Sequence, residues 1–293
     1  MSWMCEEGKM LNGILPIYKE RGMTSHDVVF KLRKILNMKK IGHAGTLDPE
    51  VDGVLLILLG NATRVSDYAM DLGKSYLAEV CLGIKTTTED LTGKITQTPP
   101  IYSAVKVGGK KLYEYARSGN FNVEIPSRVV EIYSIKLDEE SIILKNNKVY
   151  FKILVDCGKG TYIRTLATQI GEQLNVPSTM ASLTRVRSGE ITKENCIKIS
   201  DIENDKNIVY ENILNKEYAL KDYEFIEVPF FRAKQIMCGL RFRKNQFDNV
   251  DFSTPKVFTY KGIALAVYYL KNSYDELLTV KTVFPTQLNE GDS

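Results

Sequence analysis

Little in this chain points to metals, disulfides or membranes. Its 293 residues hold five cysteines, Cys5, Cys81, Cys157, Cys196 and Cys238, with no C-x-x-C pair among them. That scatter suggests neither a zinc site nor a disulfide framework, and it fits a reducing, cytoplasmic setting. No apolar run nears the roughly 20 residues of a spanning helix. The opening MSWMCEEGKM lacks the apolar core of a secretion signal. Repeats, low-complexity tracts and a glycine-rich dinucleotide fingerprint are also missing, so no cofactor is expected. An excess of charge is lacking too: 39 basic against 36 acidic residues leave a net +3. Any basic surface must therefore come from clustering.

What is present is an ordinary globular composition, 44% apolar and 26% charged, long enough for one large domain plus a small module. The densest stretch is Lys40 to Leu55, KIGHAGTLDPEVDGVL, flanked by the apolar runs VVFKLRKIL and VLLILL. Its glycines permit close backbone approach, and Pro49 biases Asp48 away from helix. The stretch reads as a rigid loop presenting a carboxylate at the end of a buried strand. Alone, an Asp-Pro pair between apolar runs is usually only a turn.

Gly13 to Lys19 reads as a strand. Ser25 is expected to cap a helix that carries Val28, Val29, Leu32, Ile35 and Leu36. Val54 to Leu59 and Lys74 to Val80 read as strands, and Gly83 to Gly93 as a polar turn. Arg128 to Leu137 and Ile142 to Val155 suggest an antiparallel pair, with Asn146-Asn147 as an excursion inside the second. Thr161 to Leu174 has helical spacing, and Ala181 to Ile191 alternates like a strand. Between Thr98 and Gly119, tyrosines interleave with Lys106, Lys110, Lys111 and Arg117. Such a mixture suits RNA, because rings stack on bases and cations meet phosphates; a surface loop with inward tyrosines explains it as well. The last seventy residues read as a short helix, Pro229 to Leu240, and strands near 256–258, 262–269 and 276–283, with Arg232, Lys234, Arg241, Arg243 and Lys244 adding positive charge. The sum is α+β: a mixed, largely antiparallel sheet with flanking helices.

G-H-A-G-T-L-D-P with its following G-V-L closely resembles the catalytic loop of the TruB family of tRNA pseudouridine synthases. The likeness continues through Gly60-Asn61-Ala62-Thr63, Lys74-Ser75-Tyr76, Tyr102 to Lys106, Gly109 to Arg117, Gly158 to Arg164, and Leu183 with Arg185. It implies a catalytic domain over 1–220, a thumb-like insertion near 98–128, and a small β-rich, PUA-like module over 221–293. It also implies conversion of uridine to pseudouridine at position 55 of the tRNA T loop. The partner is then the tRNA T stem-loop, with no metal, no membrane and no obligate protein partner.

The resemblance also carries roles. Asp48 becomes the catalytic carboxylate and Arg164 its ion-pair partner, bonded as guanidinium to carboxylate. Asp48 could attack C1′, steady an oxocarbenium-like species or remove the C2′ proton; the sequence leaves these open. A carboxylate in an apolar pocket needs such a cation to stay charged. Tyr76 matches the active-site tyrosine. Tyr162 and Leu183 match base-pocket positions, and Lys74 supports the site or meets phosphate. His43 matches the residue that fills the space left when the target base flips out; His26 is given no role. Glu50 and Asp52 add carboxylates nearby and leave a question over which acid faces inward.

Three rival functions remain. The chain could bind or fold RNA with catalysis incidental, or serve as the catalytic subunit of a guide-RNA complex. A glycosidase is a third, but it needs carboxylates on opposite sides of the bond, which one tight loop does not provide.

Overall fold

The computed structural model describes residues 11–83, 91–103, 105–247, 249–286 and 288. Most of the expected turn at Gly83 to Gly93 lies outside them, as do the first ten residues and Ala104.

β1 (Gly13–Lys19) leads to α1 (Ser25–Ile35), then β2 (Ile41–Ala44) and β3 (Asp52–Leu59). A 3₁₀ segment, Gly60–Val65, runs into α2 (Ser66–Asp71), and β4 (Lys74–Leu82) follows. Next come β5 (Gly93–Gln97), a short hairpin of β6 (Lys106–Val107) and β7 (Lys110–Lys111), and α3 (Leu112–Arg117). The long β8 (Arg128–Lys145) pairs with β9 (Lys148–Cys157) before α4 (Ile163–Gln173), β10 (Ser178–Ser188) and β11 (Ile191–Thr192). Short helices α5 (Ile199–Asn204) and α6 (Ile208–Asn212) precede β12 (Glu224–Glu227), α7 (Phe230–Met237), β13 (Lys256–Tyr260), β14 (Ile263–Tyr269) and β15 (Thr279–Val283).

The main sheet runs β1-β3-β10-β4-β9-β8-β5, with β2 on β3 and β11 on β10. Every pairing in it is antiparallel except β10 against β3, so the sheet is mixed and largely antiparallel as expected. β3 explains its own sequence. Leu55, Ile57 and Leu59 enter one core, with Val28 and Leu32 of α1 and Leu166 of α4. Val54, Leu56 and Leu58 enter another, with Tyr68 of α2 and Val257, Val267 and Phe284 from the C-terminal end. A strand covered on both faces reads as an unbroken apolar run.

One edge of β3 is divided. Asp52 and Gly53 pair with β10, whereas Leu56 to Leu59 pair with β2. The loop between Ala44 and Asp52 leaves the sheet where β3 passes from one neighbour to the other.

Two local expectations are corrected. Thr24, not Ser25, caps α1: its Oγ1 accepts from the Asp27 amide at 3.0 Å, and the Asp27 carboxylate accepts from the Thr24 amide at 2.8 Å. The reciprocal pair needs a carboxylate three residues on, which T-S-H-D supplies to Thr24. Asn146-Asn147 is no excursion but the tip of the β8–β9 hairpin. Both residues have positive φ, 52° and 58°, the geometry of the tight turn that matches strand twist.

The C-terminal strands form a second sheet, β12-β13-β14-β15, with β12 parallel to β13. Strand β12 went unread because only four residues, EFIE, carry it. This sheet is fastened to the wall formed by the 3₁₀ segment and α2. Asn61 Nδ2 donates to the Pro285 carbonyl at 2.8 Å, and the Tyr68 and Thr282 hydroxyls meet at 3.0 Å. Among the described residues no helix is long and apolar enough to cross a membrane.

Candidate active site

A cavity of about 830 Å³ opens where the divided edge of β3 meets β4 and β10. Its walls come from the loop Gly45 to Val51, from Lys74 and Tyr76 on β4, and from Met180, Leu183 and Arg185 on β10. The β9–α4 connection adds Lys159 to Arg164, the β5–β6 connection adds Tyr102 and Ser103, and β15 sends in Lys281.

Asp48 stands on this wall and is ion-paired with Arg164 at the start of α4. Its side chain is 48% exposed and that of Arg164 38%. The expectation of an enclosed carboxylate is therefore corrected: the acid stands at the cavity mouth, in reach of solvent. The loop beneath it is held rigidly. The Leu47 amide donates to Ser25 Oγ at 2.8 Å, the Val51 amide to the Asp48 carbonyl at 3.1 Å, and the Gly22 amide to the Pro49 carbonyl at 2.9 Å.

The neighbouring acids differ. Asp52 accepts from the Tyr18 hydroxyl at 2.6 Å and from Thr184 Oγ1 at 2.7 Å. Burial works against its charge, but these hydrogen bonds outweigh burial and hold the carboxyl below its ordinary range. Glu50 is exposed and off the cavity wall. Of the three acids only Asp48 lines the cavity.

Tyr76 is 9% exposed on the floor. Burial pushes its phenol above the ordinary value, while Arg185 beside it pulls the other way. The two residues are cross-strand partners on β4 and β10. Arg185 is 1% exposed, donates from Nε to the Val54 carbonyl at 2.6 Å, and reaches toward the Gly45 carbonyl at 3.5 Å. Lys74 is also buried; its ammonium donates to the Met70 and Leu72 carbonyls at 2.8 and 2.7 Å. Burial, with Arg185 adding repulsion, lowers its pKa to about 8.

Tyr162 is clamped through its backbone. Its amide donates to Gln97 Oε1 at 2.9 Å, and Gln97 Nε2 donates to its carbonyl at 3.3 Å. The Arg128 guanidinium lies 5.5 Å from the centre of its ring. Leu183, 8% exposed, completes the apolar part of the floor. His43 sits on β2, off the cavity wall, with a buried Nδ1 that has no hydrogen-bond partner. Burial lowers its pKa, against a smaller opposite pull from the Gly45 backbone, so the ring is held neutral. At the rim, Lys159 pairs with Asp71 at 2.7 Å.

The structure thus brings Asp48, Tyr76, Lys74, Tyr162, Arg164 and Leu183 to one cavity and leaves His43 beside it. The sequence pointed to Ser25 only as a helix cap and gave no role at the site to Ser25, Gln97 or Arg185. Only Arg185 had left a trace there, in the spacing L-x-R.

Comparison with solved structures finds the same architecture in a Cbf5–Nop10–Gar1 complex, at TM-score 0.72 and 26% identity over 93% of this chain and 85% of that one. An archaeal box H/ACA Nop10–Cbf5 complex shares the fold at TM-score 0.71 and 23% identity, covering 94% of this chain and 86% of that one. The family model that matches residues 33–96 and 89–163 describes the N-terminal domain of TruB family pseudouridylate synthases. Fold and cavity therefore define a pseudouridylate synthase. Over 96% of its length the chain is 45% identical to tRNA pseudouridine synthase B of Staphylococcus aureus strain RF122, covering 97% of that protein; the strain Newman protein matches equally. The chain belongs to the TruB family.

Proposed function

We propose that this chain isomerises uridine to pseudouridine at position 55 in the T loop of tRNA. The observation that carries this reading is the Asp48–Arg164 pair at the mouth of a cavity floored by Tyr76, Tyr162 and Leu183. The reaction breaks the bond from C1′ to N1, turns the uracil and joins C5 to C1′. The C5 proton is lost and N1 gains one, so atoms and electrons balance. Asp48 is the carboxylate that opens the glycosidic bond, and Arg164 orients it through a charge-assisted bond. Tyr76 lies under the base, where its ring stacks and its hydroxyl is placed for the C5 proton. Tyr162 and Leu183 hold the other side, and the buried Lys74 supports the floor. His43, beside the cavity, takes the place of the extruded base in the loop.

Residues 1–220 serve as the catalytic domain, with 98–128 as an RNA-gripping insertion and 221–293 as an RNA-binding module. The substrate belongs to the cytoplasmic tRNA pool, and the chain acts without a protein partner. Release of the C5 hydrogen from labelled uridine in tRNA tests the proposal. Wild type should release it and Asp48→Asn should not; equal release from both would end the assignment of Asp48. Likeness to Cbf5, which the solved complexes hold with Nop10 and Gar1, favours a second reading as a subunit of a larger assembly. Conversion of a bare T stem-loop by the purified chain would eliminate it.

A further inference from the structure

Three buried side-chain polar atoms have no hydrogen-bond partner among the described residues: His43 Nδ1, Ser103 Oγ and Ser188 Oγ. Only Ser103 belongs to the cavity wall. It is 7% exposed, and its backbone is pinned, because its carbonyl accepts from the Tyr113 amide at 3.1 Å. A buried hydroxyl without a partner loses its bonds to water and gains none in return. Such a loss persists in a folded protein where function uses the group. Serine has a single side-chain torsion, and Ser103 stands on the cavity wall, so its hydroxyl can be re-aimed without moving the backbone.

We propose that Ser103 is a substrate-binding residue whose hydroxyl donates to an oxygen of the nucleotide bound in the Asp48 cavity. This rests on the reading of that cavity as a uridine site. The acceptor is a base carbonyl or a backbone phosphate oxygen, which offer the same chemistry. Two consequences of opposite sign follow. Removing the hydroxyl relieves the free protein and costs the complex a hydrogen bond.

Ser103→Ala in the full-length chain is the test, read by thermal unfolding and by binding of a T stem-loop RNA. The variant should melt roughly 1–3 °C higher and bind roughly 5- to 30-fold more weakly. Because serine is neutral, the salt dependence of binding should not change. Ser103→Thr, which keeps a hydroxyl, should recover part of the affinity. With 2-thiouridine or 4-thiouridine at the target position, loss of the wild-type advantage on either analogue places the acceptor on the base. An advantage kept on both places it on the backbone. Unchanged affinity, or a loss of affinity with a lowered melting point, would overturn the proposal, the latter marking Ser103 as merely structural. Wild-type protein that fails to bind the T stem-loop would instead defeat the uridine-site reading itself.

Discussion

The Ser25 hydroxyl is hydrogen-bonded to Leu47 in both directions: it accepts from the amide at 2.8 Å and donates to the carbonyl at 3.3 Å. Leu47 immediately precedes Asp48, so the first turn of α1 fixes the height of the Asp48 carboxylate on the cavity wall. Ser25→Ala leaves a buried amide and carbonyl without partners, which costs about 1–3 kcal/mol. The variant should melt lower and lose roughly tenfold in single-turnover rate while still binding tRNA. Thr24→Ala, which removes the actual helix cap, should cost about 1 kcal/mol and leave the rate alone. Measuring both variants separates loop placement from helix stability.

Gly53 lies where β3 pairs with β10 and leaves no room for a side chain. Its φ is +117°, and a Cβ there would press on the Arg185 backbone, 2.7 Å from the amide nitrogen and closer still to the carbonyl oxygen. Gly53→Ala must push the two strands apart at the parallel pairing that frames the Asp48 loop. A loss of at least about 2 kcal/mol is expected, because the strain adds to the clash. Thermal unfolding checks this, and a variant as stable as wild type would contradict the pairing.

How much of this was legible in the sequence depends on how far apart the partners lie. The run at Val54 to Leu59 announced a buried strand, and Asp48 stood out through a long motif. Arg185 contacts Val54 across 131 positions, and Gln97 contacts Tyr162 across 65. No periodicity encodes such contacts, so the burial and partners of this arginine and glutamine could not be read along the chain. The openness of Asp48 was illegible for the same reason. Exposure of a loop residue is decided by which walls the fold sets around it, not by its apolar neighbours in sequence.

Acid should destabilise the protein in part through Asp52. Hydrogen bonds from Tyr18 and Thr184 overcome the opposing effect of burial and put its folded-state pKa below the unfolded value. The contribution is therefore complete above the unfolded value of about 3.9 and drains away as pH falls through the folded one. Asp156 behaves alike: bonds from Ser75, Arg187 and Ser134 outweigh burial. Asp52→Asn should be less stable than wild type at neutral pH and show a shallower acid decline, with the Asp156 share remaining. Urea unfolding from pH 6 to 2.5 provides the curve.

Arg185 is buried in the cavity wall beside Tyr76. Its buried guanidinium has no carboxylate within ion-pairing distance among the described residues. It faces Tyr76 across the strands and ties β3 to the loop that carries Asp48. Arg185→Met removes the charge that opposes the upward shift of the Tyr76 phenol. That pKa then rises further, so any step that uses the phenolate should need higher pH. The expected result is a single-turnover rate down roughly 100-fold, a pH–rate profile displaced to higher pH, and tRNA affinity within a few-fold of wild type. Arg185→Lys should keep the profile in place. A purely structural arginine would lower stability in both variants and leave the profile unmoved.

The β6–β7 hairpin and α3 bear on the salt dependence of RNA binding. Lys106 and Lys110 are exposed on the β6–β7 hairpin, whereas Lys111 and Arg117 lie over the Tyr113 ring at 5.4 and 5.3 Å. The first two are free to meet phosphates, and each phosphate contact releases counterions when RNA binds. The second two lend part of their charge to an aromatic face and stiffen the segment. Lys106→Ala with Lys110→Ala should weaken T stem-loop binding and lower the slope of log affinity against log salt by about 1–2. Tyr113→Ala should weaken binding with a much smaller change in slope, because it removes order rather than charge. Titrations between 50 and 300 mM salt distinguish the two. An unchanged slope in the double lysine variant would remove this hairpin from the RNA interface.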